Sequence, residues 1–188
     1  KTIITNKKLQ KGCYKGQPFS LKQKLTMSSS HKNLSDFSHI TIKSAKDLKF
    51  AIVVSQWNAE ITGALLNGAI DGLINNGATD HNIRVIEVPG SYELISGADI
   101  ALRDQTFDAI ICLGCVIQGE TRHFDFICAA VAQGISNVST KYNKPVIFGV
   151  LTTDNLQQAI DRAGGKHGNK GEEAAITAIQ MAHISKEF

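Results

Sequence analysis

Apolar residues in this chain alternate between short, mostly apolar runs and longer stretches where they recur every three or four positions. The short runs are five to seven residues long and rich in Val and Ile, which is typical of strands buried in a sheet. Four such runs occur, at residues 50–54, 83–88, 109–113 and 145–151. We therefore predict four strands, the last beginning at Pro145, where a strand tolerates proline.

Helical periodicity follows each predicted strand. The stripe from Ile61 to Leu73 is expected to begin at Asn58 as N-cap and to end at 76–77, an Asn-Gly pair. Ser91 is the expected cap of the second helix, and Asp154 with Gln157 has capping-box spacing for the fourth. The other predicted helical stretches are 94–102, 122–138, 154–164 and 172–184.

Four alternations of strand and helix predict an α/β fold, because helical crossovers join parallel strands and cover both faces of the sheet. We expect a three-layer α/β/α sandwich with a four-stranded parallel, flavodoxin-like sheet. Residues 39–42 could add a short edge strand. Ligands of such sheets bind at the carboxyl ends of the strands, and polar motifs stand at three of those ends.

The N-terminal part of the chain differs in composition. Residues 1–40 hold eight Lys and one acid, Asp36, for a net charge of +7, whereas the rest holds 12 basic and 16 acidic residues, for −4. We expect residues 1–39 to be a disordered or extension tail and residues 40–188 to be the folded domain. Met27 precedes three serines, so we interpret residues 1–26 as an upstream extension, a processed leader or wrongly assigned coding sequence.

Composition narrows the functional classes. A mildly acidic folded part argues against nucleic-acid binding. No apolar run approaches the roughly 20 residues of a membrane span, and no apolar signal segment opens the chain, so we expect a cytoplasmic protein with no membrane partner. Cys112 and Cys115 lack a second pair at zinc spacing and lie three apart on a strand, so we expect buried, inert thiols on opposite faces.

The candidate chemistry lies in residues 114–126. A predicted strand is followed by a polar loop and then by a predicted helix. The free N–H groups at the start of that helix would attract an anion, and Gly119, which has no side chain, would let the anion approach the backbone closely. His123 falls in the first helical turn, beside such an anion, where it could transfer protons. Taken alone, His123 is more typical of a solvated histidine, Trp57 of a core aromatic residue and Arg162 of a solvated helix residue.

Four collinear blocks of sequence resemble one family. They are VSQWN at 54–58, VPGSYEL at 88–94, the stretch that ends in HFDF at 123–126, and FGVLTTDN at 148–155, continuing to RAGGKHGNKG at 162–171. Residues of about 40–186 thereby resemble lumazine synthase (6,7-dimethyl-8-ribityllumazine synthase), the penultimate enzyme of riboflavin biosynthesis.

The resemblance implies a transferase that condenses 5-amino-6-(D-ribitylamino)uracil with 3,4-dihydroxy-2-butanone 4-phosphate, giving the lumazine, phosphate and water. It implies no cofactor and no metal. It also implies a homo-oligomer, a pentamer, with a hollow 60-mer icosahedral shell left open as an alternative. Riboflavin synthase is a further candidate partner. Two other functions stay open: a non-catalytic shell or flavin- or lumazine-binding protein on the same fold, and a flavodoxin-like FMN carrier.

The resemblance also implies roles for individual residues. His123 would be the catalytic proton shuttle, and Trp57, in place of the family's frequent Phe, would stack on the pyrimidine. Glu120 stands where the family commonly has a small residue, so we expect it to point outward. The other implied substrate-binding residues are Asn58, Ser91, Tyr92 and Glu93 for the ring and ribityl chain, Cys115, Val116 and Ile117 for the pyrimidine edge, Gln118, Glu120 and Thr121 for the phosphate, and Phe148, Arg162 and Lys170 from a neighbouring subunit.

Overall fold

The computed structural model describes residues 36–37 and 40–188. Strand and helix alternate along them as the apolar pattern predicts. The strands are β1 (Phe50–Ser55), β2 (Ile83–Val88), β3 (Ala109–Ile117), β4 (Val146–Thr153), β5 (Ala163–Gly165) and β6 (Gly168–Asn169); the helices are α1 (Ala59–Asn75), α2 (Leu94–Arg103), α3 (His123–Tyr142), α4 (Leu156–Arg162) and α5 (Lys170–Glu187), with a 3-10 turn at Asp80–Asn82.

The four long strands form one parallel sheet in the order β2-β1-β3-β4, as predicted. Pairing Val54 with Leu113 and Gly114 with Val150 brings the carboxyl ends of β1, β3 and β4 to one edge. β5 and β6 form a small antiparallel hairpin in the Gly-rich segment 162–171, where the apolar pattern predicts no strand. Gly164 and Gly168 take φ of 109° and 81° there, which glycine adopts at no steric cost.

Helices cover both faces of the sheet. Phe50 and Ile52 belong to a core that includes α1 and α5, whereas Ala51 and Val53 belong to a second core with α2 and α3. This alternation along β1 is the two-residue period of a strand, and it confirms the three-layer α/β/α sandwich. Among the described residues, no helix is long and apolar enough to cross a membrane.

Several boundaries differ from the predictions. Residues 40–42 form no strand, and His39 of the proposed edge strand lies outside the described residues, as does most of the predicted tail. β3 runs to Ile117, not Leu113, because β4 continues beside it and the backbone N–H of Gln118 still donates to the Thr153 carbonyl at 2.8 Å. The end of β3 is set by pairing with β4, and the local pattern of apolar residues contains no information about that pairing.

Two predicted helix caps are wrong, whereas the Asn58 N-cap position and the Asn76-Gly77 end of α1 are confirmed. Asn58 stands at the N-cap position of α1, although its side chain makes no cap hydrogen bond. In α2, Glu93 and not Ser91 stands at the N-cap position. In α4 the cap is Asn155, whose Oδ1 accepts from the N–H of Gln158 at 3.0 Å. Asp154 lies one residue too early, and its own N–H donates to the Gln158 side chain.

Candidate active site

A cleft of about 710 Å³ opens at the carboxyl ends of β1, β2 and β3. Its volume falls within the usual range of small-molecule sites. The cleft is lined by Trp57, Asn58, Pro89, Gly90, Ser91, Tyr92, Glu93, Cys115, Val116, Ile117, Gly119, Thr121, His123, Phe124 and Ile127. Ten of these are among the residues that the resemblance implicates, so the structure brings most of that set together.

Trp57 forms one wall from the loop between β1 and α1. Its indole is 74% exposed, so the reading as a core aromatic residue does not apply. Backbone bonds fix the loop: the N–H of Gln56 donates to the Val88 carbonyl at 2.8 Å, and that of Trp57 donates to the Pro89 carbonyl at 3.2 Å. A large exposed ring held by its backbone offers a flat face for stacking a planar ligand.

The turn between β2 and α2 forms the adjacent wall. Ser91 is buried and lies against the backbone of β3, where a Cβ on Gly114 would come within 2.7 Å of its hydroxyl oxygen. Tyr92 is 52% exposed. The Glu93 carboxylate folds back over the turn, 2.9 Å from where a Cβ on Gly90 would stand. This wall therefore offers a carboxylate and a phenol to hydroxyl groups of a ligand.

The end of β3 forms the floor. The Gln118 N–H faces β4, and peptide groups in a strand alternate sides, so those of Ile117 face the side where β1 has already ended. Their N–H and C=O are thus directed to the cleft with no strand to pair them. The Cys115 carbonyl, on the same side, accepts a hydrogen bond from the Asn58 side-chain amide at 2.9 Å.

His123 begins α3 at the far end of the cleft. Its backbone N–H lies 3.4 Å from the Thr121 hydroxyl, and Arg122 pairs with Asp125 at 3.5 Å on the same exposed turn. The first N–H groups of this 20-residue helix, with the loop before it, make a site that favours an anion. Gln118 and Glu120 are exposed and do not line the cleft, and the Gln118 amide donates to the Gly119 carbonyl.

Three of the implicated residues lie elsewhere. Phe148 is 37% exposed in a groove of about 300 Å³ between α3 and the edge strand β4. Arg162 and Lys170 converge on Glu173, with nitrogen–oxygen distances of 3.5 and 3.0 Å to its two carboxylate oxygens. The side chains of all three ion-paired residues are mostly buried, at 21%, 29% and 14% exposure. One carboxylate thus holds two cations, which leaves one net positive charge.

Burial keeps the thiols of the two β3 cysteines near the site protonated at neutral pH. Burial raises the pKa of Cys112 to about 12 and that of Cys115 to about 11. The two thiols enter different cores, Cys112 with α2 and α3 and Cys115 with α1 and α5, as the strand spacing predicts. The described residues contain no group of three His, Cys, Asp or Glu that could hold a metal ion.

Sequence reasoning missed some of the lining. Phe124 and Ile127 lie in the predicted helical stretch 122–138 and were not predicted as site residues, but the first turn of α3 overhangs the cleft. Glu173 was not assigned either, although its i,i+3 spacing from Lys170 was a usable signal. Pro89 and Gly90, which also line the cleft, were included only as part of the VPGSYEL block.

An open parallel sheet with a polar cleft at its carboxyl edge, holding an aromatic platform, unpaired backbone groups and an imidazole, defines a small-molecule-binding α/β protein equipped for proton transfer. Comparison with known proteins specifies the family. The family model described as 6,7-dimethyl-8-ribityllumazine synthase matches residues 47–186. The chain belongs to the 6,7-dimethyl-8-ribityllumazine synthase family, whose members are transferases of the penultimate step of riboflavin biosynthesis.

Proteins that carry this name are similar over most of their length. The chain is 59% identical to the one from Cytophaga hutchinsonii over 155 residues, which cover 82% of this chain and 97% of the relative. It is 53% identical to that of Flavobacterium johnsoniae over 161 residues, 86% of this chain and 85% of the relative. For Phocaeicola vulgatus the identity is 49% over 162 residues, 86% and 96% of the two chains.

Proposed function

We propose that this chain condenses 5-amino-6-(D-ribitylamino)uracil with 3,4-dihydroxy-2-butanone 4-phosphate to form 6,7-dimethyl-8-ribityllumazine, phosphate and water. The observation that supports this most directly is the single cleft that joins Trp57, Ser91 to Glu93, the end of β3 and His123. Each group matches one part of the two substrates. We assign the folded domain to residues 40–188 and the tail to residues 1–39.

The pyrimidine would occupy the half of the cleft beside Trp57. The indole stacks on the ring, while the unpaired N–H and C=O of Ile117 pair with the amide-like edge of the uracil, which presents donors and acceptors side by side. The carboxylate of Glu93 accepts hydrogen bonds from ribityl hydroxyls, and Ser91 and Tyr92 complete that wall. Groups held by backbone bonds need little ordering when the substrate binds.

The phosphate would bind at the start of α3. Gly119 to Thr121 present backbone N–H groups and a hydroxyl, but no Lys or Arg lines the described cleft. A dianion is best neutralised by a bidentate guanidinium, so a cation from outside is required. We propose that Arg162 and Lys170 of a neighbouring copy supply it, with Phe148 closing the same junction. Their shared positive charge above Glu173 suits an anion.

His123 would move the protons of the reaction. The amine attacks the ketone, phosphate leaves by elimination, and the second ring closes with loss of water. Each step transfers a proton, and an imidazole can both accept and donate one near neutral pH. Its place between the proposed phosphate site and the rest of the cleft would put it beside the reacting carbons. Most of the acceleration would come from holding both substrates together.

A shared cleft requires an assembly. We propose a pentamer, with a 60-mer shell as the larger form and riboflavin synthase as a candidate partner. Light scattering should give the mass of five or sixty chains, and a monomer would overturn both the assembly and the shared site. The free thiols Cys112, Cys115 and Cys128 are compatible with a reducing, cytoplasmic location.

Product fluorescence tests the reaction directly. Mixing the protein with both substrates should generate the lumazine well above the uncatalysed rate. No excess over that rate, with binding of the lumazine intact, would support a non-catalytic shell or binding protein. A yellow protein that retains FMN through purification would support the flavin-carrier alternative.

A further inference from the structure

Asn58 has an unusual backbone conformation at the edge of the cleft. Its φ of 58° and ψ of 47° are left-handed, a region that asparagine enters more readily than other residues with a side chain. Its carbonyl starts α1 by accepting from the N–H groups of Ile61 and Thr62 at 2.9 and 3.0 Å. Its side chain is then free of the capping role and turns across to β3.

The hydrogen bond from the Asn58 side chain to the Cys115 carbonyl takes the place of a backbone hydrogen bond that is missing between β1 and β3. In the register that pairs Val53 with Cys112, the next backbone N–H to reach the Cys115 carbonyl would be that of Trp57. The Trp57 N–H turns instead to Pro89, at 3.2 Å. The Asn58 amide nitrogen, 2.9 Å from the Cys115 oxygen, fills the vacated position.

This bond ties two walls of the cleft together. The loop bonds of Gln56 and Trp57 both go to the β2 side, whereas the Asn58 bond reaches β3. With 74% of its surface exposed, the Trp57 side chain has little packing of its own to hold it. The separation between the indole and the β3 floor therefore depends on residue 58.

We propose that Asn58 is a positioning residue, whose left-handed backbone and amide bond to the Cys115 carbonyl set the width of the slot between Trp57 and the end of β3. The slot accepts a planar ring, and this assignment to the pyrimidine substrate rests on the proposed function. Asn58 would thus act on the ring through Trp57 and β3 and not by its own contact.

Two substitutions separate the bond from the backbone. Asn58→Gly keeps the left-handed conformation at no steric cost and removes the amide. Asn58→Asp keeps the size but has no N–H to donate, so two acceptors face each other. Asn143→Gly is the matched control, because Asn143 is also left-handed, with φ of 49°, at the end of α3 and outside the cleft.

The first readout needs no substrate. The chain contains one Trp, so time-resolved fluorescence anisotropy reports on Trp57 alone. Both Asn58 variants should show more fast local motion of the indole than the unmodified protein, and Asn143→Gly should match the unmodified protein. Unchanged anisotropy in both Asn58 variants would overturn the proposal, even in a protein that proves inactive. This result therefore stands apart from the proposed reaction.

The second readout is the ratio of the two KM values. Loss of one hydrogen bond corresponds to about a fivefold change in binding, so Asn58→Gly should raise KM for the ribitylaminouracil about fivefold and Asn58→Asp should raise it further. KM for the butanone phosphate, at the other end of the cleft, should stay within about twofold. An equal rise in both KM values, or the same rise in Asn143→Gly, would mean general loosening and would refute the positioning role.

Discussion

Substitution of Gly171 tests how closely helices α1 and α5 approach each other. Gly171 lies buried at the start of α5, between Lys170 and Glu173, and its own N–H donates to the Asn169 side chain at 2.8 Å. A Cβ at this position would overlap the Leu65 carbonyl oxygen of α1 and lie 2.7 Å from the carbonyl carbon. Both obstacles are backbone, so no side-chain rotation relieves them, and the two helices must separate.

The expected cost of Gly171→Ala lies at the upper end of overpacking effects, about 3 kcal/mol. For a chain of this size, that lowers Tm by roughly 6–12 °C. The same substitution at Gly63 is the control. Gly63 lies in α1 with nothing within 4 Å of an added Cβ, so Gly63→Ala should stabilise the helix by about 0.5–1 kcal/mol and raise Tm by roughly 1–4 °C.

The assay is thermal unfolding followed by far-UV circular dichroism, with all proteins at one concentration because assembly makes Tm concentration-dependent. Gly171→Ala should also lose activity, since it displaces the turn that carries Lys170 and Glu173. A Gly171→Ala protein that melts within about 2 °C of the unmodified protein would refute the close approach of the two helices.

Three other expectations follow from the same geometry. His123→Ala should lower kcat roughly 10- to 1000-fold in the fluorescence assay, and complete loss with substrate binding intact would contradict a mainly proximity-driven reaction. With its pKa raised to about 11, Cys115 should react with iodoacetamide at pH 8 at least about 100-fold more slowly in the native than in the urea-unfolded protein, since only the thiolate attacks. Hydrogen bonds from Lys141, then Arg103, lower the pKa of Asp99 to about 2, so its stabilisation is present above the unfolded value of 3.8 and lost as the pH falls through 2. Urea unfolding should therefore show Asp99→Asn less stable by about 1 kcal/mol at pH 7, with the gap shrinking below pH 4.

The sheet could be predicted from the sequence because strands buried on both faces consist of short, mostly apolar runs. The run from Phe50 to Val54 is fully buried between two helical layers, and a short, continuous run rich in β-branched residues is typical of a strand covered on both faces. The two thiols of β3 likewise follow from the period of a strand. The predicted ends of some elements were wrong, because pairing with an adjacent strand determines where a strand ends. β3 continues to Ile117 only because β4 lies beside it.

The capping roles expected of the Asn58 and Ser91 side chains are absent for a different reason. Asn58 and Ser91 are residue types that favour helix starts, but both side chains are used in tertiary contacts with β3. Composition gives a propensity for a local role and cannot show that a distant strand competes for the same group. The ion pairs of Arg162 and Lys170 with Glu173 could not be predicted for a similar reason. The β5–β6 hairpin, a tertiary feature, brings the two cations together.

The same competition explains how the cleft is held open. Gly114 has no side chain, so Ser91 and Leu94 can pack onto β3, and a Cβ there would stand 2.7 and 2.9 Å from their side-chain atoms. One residue further on, the Cys115 carbonyl anchors the Trp57 loop through Asn58. Two residues beyond that, the peptide groups of Ile117 face the space left by β1. The packing of Ser91, the anchoring of the Trp57 loop and the free peptide groups of the floor thus depend on Gly114, Cys115 and Ile117 of one strand. β3 therefore fixes the walls of the cleft relative to each other.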